Sequence, residues 1–372
     1  MNLKTFANEV DFASSAVERK NSIPILSNLL VDQRDGAMTL TGTDLEVTAV
    51  TAFHGDAEKI QTTVPSKRLR QVLTSMNGAE ECGITSDNKK WLTTLTSGNF
   101  SANIPGMSHE SYPEMPKLPE EMTTLPLKPL MTAIQATSHA ISEEESRFTL
   151  NGSLFMIDVK GNIISVATDG HRLAVASYGE AMQNHSVRCL IPDRLIKLLP
   201  KLGDTAECQF GVDANNAFFM AKFKERSFRL LIGRKLTGNF PDYERVLPKD
   251  NPIKATVNRL ALLNAAQRIA MFADERSRAG RLMLHGSLGK SKITVFASVS
   301  DSGDASEVVA ADVPLGTEFE IGLNLDYVQD ALRAFTSETV ELGLRAKESP
   351  MDIQGEAGNG VSLRTVLMPM RI

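Results

Sequence analysis

The chain lacks long hydrophobic runs. Nowhere among its 372 residues do about 18 apolar residues follow one another, so no membrane-spanning helix is expected. The first residues, "MNLKTFANEVDF", contain no basic segment followed by an apolar one, so no secretory signal is predicted. We therefore expect a cytoplasmic protein.

Cysteine is also scarce. The chain has three cysteines, Cys82, Cys189 and Cys208, and no Cys-x-x-Cys pair. An odd number without metal-ligand spacing favours neither a disulfide framework nor a zinc site. We expect inert thiols, no metal and no cofactor.

Familiar catalytic motifs are missing as well. The sequence has no His-Glu-x-x-His, Gly-x-Ser-x-Gly or Gly-x-Gly-x-x-Gly. "HGSLGKSK" (285–292) ends like a phosphate loop, but position 284, where that loop needs glycine, is Leu284. One candidate remains, "SVATDGHRLAVAS" (165–177), in which Asp169 and His171 could act as acid and base of a hydrolase. No convincing nucleophile accompanies them, and Asp-Gly is favoured in turns, so a turn beside a recognition surface is the preferred interpretation.

Negative charge is in slight excess overall. The net charge of −5 argues mildly against a general nucleic-acid coat. The predicted helices are nevertheless relatively basic and could line a hole, with the side chains Lys67, Arg68, Arg70, Arg194, Lys197 and Lys201 facing phosphates. The alternative, that these are ordinary solvated helix faces, is favoured by the residues alone.

What the sequence does contain is a repeat of three landmarks. The first is a strand that runs into a helix, in "TTVPSKRLRQVLTSM" (62–76), "RCLIPDRLIKLLPKL" (188–202) and "FEIGLNLDYVQDALRAF" (319–335). Ser66, Asp193 and Asn324 are residue types that cap helices, and we expect them to open these three.

The second landmark is a hairpin, and the third is an amphipathic helix. Hairpins are predicted in "MTLTGTDLEVTAV" (38–50), "ISVATDGHRLAVAS" (164–177) and, more weakly, "ITVFASVSDSGDASEVVA" (293–310). Apolar residues three or four apart predict helices within 4–20, 126–146 and 255–277, the last with Val257 on its apolar face.

These repeats predict an α+β fold of three similar domains. Proline-rich segments place the boundaries so that the domains are 1–122, 123–248 and 249–372. Each domain would pack two helices against antiparallel sheets. Open sheet edges invite pairing, and repeated domains joined at their edges form an arc that can close head to tail into a ring.

Five segments taken together resemble the bacterial sliding clamp family, the beta subunit of DNA polymerase III. They are "IPILSNLLV" (23–31), "LTGTDLEV" (40–47), "VATDGHRLAV" (166–175), "FPDYERVLP" (240–248) and "VLMPMRI" (366–372). The resemblance spans nearly the whole chain. It implies a head-to-tail homodimer ring with helices inside and sheets outside, which encircles duplex DNA without sequence preference and tethers the polymerase without catalysing a reaction.

The resemblance also implies a pocket for short peptide motifs of partner proteins. Those partners are the polymerase III alpha subunit, the clamp-loader delta subunit and other proteins with a clamp-binding motif. Apolar members of the pocket would form the groove, and basic members would hold peptide carbonyls or carboxylates. The matching positions are Leu150, Thr168, Gly170, His171, Arg172, Leu173, Pro241, Arg245, Val246, Val366, Leu367, Met368, Pro369, Met370 and Arg371.

By the same resemblance, Lys20, Arg147 and Phe148 join the basic helix residues as candidates for DNA contact. The family often has aromatic residues at the positions of both Phe148 and Thr149, and Thr149 departs from that pattern. The dimer interface would pair a strand containing Phe100, Ala102 and Ile104 with Met271 and Phe272 of a second chain. A paralogue that binds clamp ligands without serving the main replicase fits the same residues.

Overall fold

The computed structural model describes residues 1–18, 22–55, 59–76, 78–179, 186–224, 227–299 and 303–371. Within them the chain packs into two compact units, Met1–Leu127 with Arg194–Lys235, and Lys128–Asp193 with Leu236–Ile372. We call these unit 1 and unit 2. The predicted middle domain contributes segments to both units, and the three domain boundaries stay a prediction at this level.

Six α-helices form in the described residues. They are α1 (Leu3–Ser14), α2 (Ser66–Ser75), α3 (Leu127–Thr137), α4 (Asp193–Leu198), α5 (Arg259–Ala270) and α6 (Leu325–Ala334). Helix α1 packs on α2, and α5 packs on α6. Phe6, Val10 and Ala13 of α1 are fully buried, as the spacing of three and four residues requires. The Asn2 side chain caps α1 by accepting from the N–H of Thr5 at 3.0 Å.

An eight-stranded antiparallel sheet dominates unit 1, in the spatial order β4-β1-β2-β3-β15-β14-β13-β8. Its strands are β1 (Asn28–Arg34), β2 (Ala37–Thr43), β3 (Val47–His54), β4 (Ile60–Pro65), β8 (Thr123–Pro126), β13 (Glu207–Val212), β14 (Asn216–Lys222) and β15 (Phe228–Arg234). A smaller sheet in the same unit is ordered β5-β6-β7, with β5 (Gly83–Asp87), β6 (Leu92–Ser97) and β7 (Phe100–Pro105).

Unit 2 contains a twelve-stranded sheet in the order β12-β9-β10-β11-β23-β22-β21-β16-β19-β18-β17-β20. These strands are β9 (Gly152–Ile157), β10 (Ile163–Thr168), β11 (Arg172–Tyr178), β12 (Val187–Pro192), β16 (Ile253–Asn258), β17 (Ala279–His285), β18 (Lys292–Val299), β19 (Gly303–Asp312), β20 (Glu318–Asn324), β21 (Thr339–Leu344), β22 (Met351–Gly358) and β23 (Val361–Leu367). Neighbouring strands run antiparallel in all three sheets, as far as the described residues show.

Each of the two large sheets is joined by a strand pair that is distant in sequence. In unit 1, β3 pairs with β15, and Thr48 faces Ile232. In unit 2, β11 pairs with β23, and Leu173 faces Val366. These two junctions therefore extend each sheet across segments that belong to different repeats.

The predicted landmarks are present with shifted ends. The hairpins over 38–50, 164–177 and 293–310 are confirmed as β2–β3, β10–β11 and β18–β19. The helix expected within 126–146 ends at Thr137, whose hydroxyl bonds the Ile134 carbonyl at 3.0 Å and the Ser165 hydroxyl at 2.8 Å. Val257 was wrongly assigned to a helix: it lies in β16, because the third repeat also begins with a strand.

Helix capping differs from the prediction at one landmark. Asn324 does cap α6, accepting from the N–H groups of Asp326 at 2.9 Å and Tyr327 at 3.2 Å. Ser66 does not cap α2; it is the first helical residue, and its hydroxyl bonds that of Ser14 in α1 at 2.8 Å. Asp193 is likewise the first residue of its helix. The sequence match placed Ser66 and Asp193 at the position of Asn324, whereas in the structure the prolines Pro65 and Pro192 precede their helices as Asn324 precedes α6.

No helix among the described residues has both the length and the apolar character needed to cross a bilayer.

Candidate functional site

The turn between β10 and β11 is built by side-chain hydrogen bonds. The Thr168 hydroxyl donates to the Arg172 carbonyl at 2.7 Å and accepts from the N–H of Gly170 at 3.1 Å. Asp169 Oδ1 accepts from the N–H groups of His171 at 2.8 Å and Arg172 at 2.9 Å. Gly170 has a φ of 90°, which glycine adopts without strain. The Asp-Gly pair therefore serves the turn.

Arg172 is held on three sides. Its Nε bonds Asp169 Oδ2 at 2.9 Å, its Nη1 bonds Asp330 Oδ2 at 2.8 Å, and its guanidinium carbon lies 4.3 Å from the centre of the Tyr327 ring. Only 12% of its side chain is exposed. Asp169 is thus committed to two backbone amides and a guanidinium, and the exposed His171 ring stacks on Tyr327 at 6.4 Å. The pair expected for a hydrolase is not arranged as an acid and a base in contact.

A cavity of 190 Å³ opens beside this turn in unit 2. Its walls come from the segment before β9, the β10–β11 hairpin, the segment after residue 240 and the end of β23. The lining residues are Leu150, Thr168, Gly170, Arg172, Leu173, Pro241, Tyr243, Val246, Val366 and Met368. Beneath them lies a core that includes Leu154, Val166 and Phe240. The cavity is therefore a largely apolar groove with a fixed floor.

The C-terminal segment runs along the cavity and is held at two points. The N–H of Met368 donates to the His171 carbonyl at 2.9 Å, and that of Met370 donates to the Gly322 carbonyl at 2.8 Å. A wider cavity of 730 Å³ lies against the same segment. Besides the tail residues, its lining includes charged side chains. The lining residues are Arg281, Glu320, Gly322, Lys347, Glu348, Met368, Pro369, Met370 and Arg371.

The structure brings most of the predicted pocket residues together. Nine line the smaller cavity, and Pro369, Met370 and Arg371 line the wider one with Met368. Three lie outside both linings: His171 is exposed against Tyr327, Arg245 is exposed and pairs with Asp242 at 2.7 Å, and Leu367 is buried. Leu367 faces away because successive strand residues point to opposite sides.

Sequence reasoning missed several residues of this region. Tyr243 lines the smaller cavity, and Tyr327 and Asp330 hold Arg172 from helix α6. Arg281 and Glu320, which pair at 3.0 Å, line the wider cavity. Tyr243 stands three positions after Phe240 in a segment already singled out, so a signal for it existed. Tyr327, Asp330, Arg281 and Glu320 lie far from that segment in sequence, and no pattern in the sequence pointed to them.

The predicted DNA-contacting side chains fall into two groups. Lys67 and Arg68 are exposed on α2 and make no ion pair with any described residue. Arg70 pairs with Asp11 at 2.6 Å, and Lys201 pairs with the same carboxylate at 3.3 Å. Lys197 is exposed on α4. The local positive charge is therefore partly compensated.

Arg194 is the predicted residue least free to reach a phosphate. It forms an ion pair with the buried carboxylate of Asp44 and also bonds the Ala16 carbonyl at 3.3 Å. Arg147 bonds Glu144 at 2.9 Å and the Asp169 carbonyl at 2.9 Å, and Phe148 beside it is 57% exposed. Lys20 lies outside the described residues.

Two of the predicted interface residues, Phe100 and Met271, are exposed apolar side chains. Strand β7 is the last in its sheet among the described residues, with Phe100 43% exposed, Ala102 half-buried and Ile104 buried. Met271, just after α5, is 72% exposed, and Phe272 is half-buried. An open strand edge and an exposed apolar side chain are features that a second chain can cover.

The thiols and the carboxylates give no sign of metal chemistry in the part of the chain described. No group of three His, Cys, Asp or Glu side chains there is placed to hold a metal ion. The three cysteines, all among the described residues, are buried and not joined in disulfides, and burial raises the pKa of the Cys208 thiol to about 12. A thiol with so high a pKa is a poor nucleophile at neutral pH.

Comparison with known proteins finds relatives that match nearly the whole length of the chain. Residues 1–116, 124–242 and 244–371 match the family models of the N-terminal, central and C-terminal domains of the DNA polymerase III beta subunit. The beta sliding clamp of Pseudomonas putida KT2440 is 32% identical over 369 residues, covering 98% of this chain and 96% of that protein. That of Escherichia coli K12 is 30% identical over 357 residues, covering 94% and 93%.

The fold agrees with these matches. The crystal structure of the DNA polymerase III subunit beta from Pseudomonas aeruginosa aligns with a TM-score of 0.90 at 26% identity, over 100% of this chain and 99% of that one. Three α+β domains of helices and antiparallel sheets define the class of clamp folds. The chain belongs to the DNA polymerase III beta subunit family, the bacterial sliding clamps. Its function is that of a non-catalytic processivity clamp for DNA polymerase III.

Proposed function

We propose that the chain works as a head-to-tail homodimer ring that encircles duplex DNA and presents one peptide pocket per chain. The three repeats would act as the domains 1–122, 123–248 and 249–372. The expected partners are the polymerase alpha subunit, the clamp-loader delta subunit and other proteins that carry a clamp-binding motif, all in the cytoplasm.

The observation that carries the peptide pocket is the apolar 190 Å³ groove whose edge is formed by a doubly anchored C-terminal segment. A volume of this size accepts one or two apolar side chains and leaves the rest of a ligand outside. Leu173 and Val366 form its floor, and the flexible Met368 lies at its mouth. Such a groove suits the leucine or phenylalanine anchors of a short motif, with methionine adapting to different partners.

The charge distribution supports sliding without tight attachment. A topologically closed ring needs only weak, screened attraction to phosphates, because strong attraction would slow its movement. Lys67 and Arg68 on α2 supply exposed positive charge, while Arg70 and Lys201 are partly neutralised by Asp11. The acidic chain as a whole, with a net charge of −5, fits a clamp that does not coat nucleic acid.

Removal of residues 368–372 tests the pocket. The truncated chain should lose affinity for a polymerase-derived peptide by about a hundredfold or more, since both the mouth of the groove and its anchors go. The truncated protein should keep the oligomeric state of the parent protein in solution, because the predicted dimer contacts lie elsewhere. Unchanged peptide affinity in the truncated protein would contradict the pocket assignment.

Encirclement is tested separately on DNA. After loading, the protein should remain on closed circular DNA and leave when that DNA is cut once. A circular plasmid blocked at both sides of the cut by a bound protein serves as the control, because a ring is then retained on linear DNA. Equal loss from intact and cut circles would argue for direct binding instead.

A further inference from the structure

Unit 1 contains a second, smaller cavity of 110 Å³ beside the turn between β2 and β3. Thr43, Leu45, Glu46 and Thr48 of that hairpin contribute to its lining, together with Ile232 and Arg234 at the end of β15. No functional residue predicted from the sequence lies in it. The backbone hydrogen bonds of its turn and the register of its distant strand repeat those of the peptide pocket.

The turn beside the second cavity has the same hydrogen bonds as the turn at Gly170. The Thr43 hydroxyl donates to the Val47 carbonyl at 3.1 Å and accepts from the N–H of Leu45 at 3.1 Å. Asp44 Oδ1 accepts from the N–H groups of Glu46 at 3.0 Å and Val47 at 2.7 Å. Thr43 and Asp44 therefore do in unit 1 what Thr168 and Asp169 do in unit 2.

The distant strand arrives in the same register. Thr48 faces Ile232 across β3 and β15, as Leu173 faces Val366 across β11 and β23. The N–H of Arg234 donates to the Glu46 carbonyl at 2.8 Å, as that of Met368 donates to the His171 carbonyl at 2.9 Å. A proline lines each cavity, Pro113 in unit 1 and Pro241 in unit 2. The backbone of the peptide pocket thus exists twice in the chain.

The side chains at matching positions differ in a consistent way. Thr48 replaces Leu173 and Arg234 replaces Met368, so polar or charged groups stand where the larger pocket has an apolar floor and mouth. Glu46, which lines this cavity, replaces His171, which lies outside the lining of the larger pocket against Tyr327. Leu45 replaces Gly170 and keeps the left-handed backbone, with a φ of 78° against 90°. Leucine pays strain at this φ and adds a side chain where glycine leaves the rim open.

We infer that this cavity is a second copy of the pocket frame, closed to apolar peptide anchors by Leu45, Glu46, Thr48 and Arg234. An anchor entering it would have to displace water from a carboxylate and a guanidinium without replacing their hydrogen bonds. It would also gain less apolar contact from threonine than from leucine. Specificity in the working pocket therefore rests on Gly170, Leu173 and Met368, with His171 beside its lining, and the frame alone is not sufficient. This inference depends on the proposed peptide-binding function.

Transplanting the four side chains tests the inference. The changes Leu45→Gly, Glu46→His, Thr48→Leu and Arg234→Met are made together in the truncated chain that lacks residues 368–372. In this chain the pocket of unit 2 is disabled, so that a gain in binding reports on the unit 1 cavity. A fluorescent peptide with one glutamine and leucine and phenylalanine anchors is titrated and followed by anisotropy. We expect binding at least about tenfold tighter than that of the truncated parent.

The outcomes separate the inference from the function on which it rests. If the intact wild-type chain does not bind the peptide, the proposed function fails. If wild type binds one peptide per chain but the folded fourfold variant gains no affinity over its parent, the inference fails alone. Two equivalent peptides per wild-type chain would also overturn it. Should the fourfold variant not fold, the double change Thr48→Leu with Arg234→Met, which replaces no residue between Thr43 and Val47, is judged by the same tenfold criterion.

Discussion

The guanidinium of Arg172 lies 4.3 Å from the centre of the Tyr327 ring and 2.8 Å from a carboxylate oxygen of Asp330, two residues of α6. Arg172 begins β11 and Asp330 stands 158 positions later in the chain. This contact ties the turn that forms one wall of the proposed peptide groove to a helix of the third repeat. Arg172 is therefore a positioning residue that holds the wall, rather than a free cation awaiting a ligand.

A double-mutant cycle on Arg172 and Asp330 should show strong coupling. We expect Arg172→Gln and Asp330→Asn each to lower the free energy of unfolding, with a coupling energy of about 1–3 kcal/mol, because the pair is shielded by Tyr327. Unfolding by urea measures the cycle. The Lys254–Glu341 pair, 62% and 38% exposed, is the matched control and should couple by less than about 1 kcal/mol. Equal coupling in the two pairs would contradict the positioning role.

The contrast between the turn and its supports shows what the sequence could provide. Thr168, Asp169 and Gly170 are residue types that favour a turn, so the sequence predicts the hairpin turn, and the structure confirms it. Tyr327 and Asp330 could not be found in this way, because nothing local in α6 says which side chain will arrive from another repeat. The same limit explains Arg194, which is basic in sequence but is paired with Asp44 from the first repeat.

Helix and strand ends were predicted less well for a related reason. Periodicity describes the middle of an element, whereas ends are fixed by side chains that arrive from elsewhere. The Thr137 hydroxyl, bonded to Ser165 of β10, marks the end of α3, and the amphipathic pattern continues beyond it. The sequence could not show which residues of the C-terminal segment line the pocket, because Leu367 and Met368 are both apolar. In the structure Leu367, the last residue of β23, is buried, and Met368 after it lines the cavity.

Substitution of Gly42 by alanine should be strongly destabilising. A Cβ at this position of β2 would lie 2.1 Å from the carbonyl oxygen of Ala13 in α1. Because this oxygen belongs to the backbone, it cannot move away by a change of side-chain rotamer. We expect a loss of about 3 kcal/mol or more in the free energy of unfolding. Gly179→Ala is the control, since its Cβ would meet only the Asn162 side-chain oxygen at 3.2 Å. A Gly42→Ala protein as stable as the control would mean that α1 does not pack so closely on β2.

Substitution of Met271 by aspartate should weaken the proposed dimer. Met271 is 72% exposed, so the change should leave the fold of the single chain intact while placing a charge in the expected interface. Light scattering should then report the mass of one chain, 40.6 kDa, at concentrations where the wild type is a dimer. Leu288→Asp, at a side chain 87% exposed outside the expected interface, should leave the mass unchanged. A Met271→Asp protein that stays dimeric would place the interface elsewhere.

His139 lies close to the Arg172 contact and carries an unusual proton affinity. Burial, and to a lesser degree the positive charge of Arg172, lower the pKa of its imidazole to about 4, although Asp330 and Asp169 act in the opposite direction. The folded protein therefore keeps His139 neutral at pH values where an unfolded chain binds a proton, below its ordinary pKa of 6.5. Folding opposes that protonation.

This depressed pKa predicts how stability depends on pH. The contribution of neutral His139 is fully present above pH 6.5, falls as the pH drops towards about 4, and changes no further below that value. Within the window it should account for a loss of up to about 1.4 kcal/mol per pH unit. Urea unfolding at a series of pH values should show a shallower slope between pH 6.5 and 4 for His139→Gln than for the wild type. Parallel curves for wild type and His139→Gln would show that His139 titrates alike in the folded and unfolded chains.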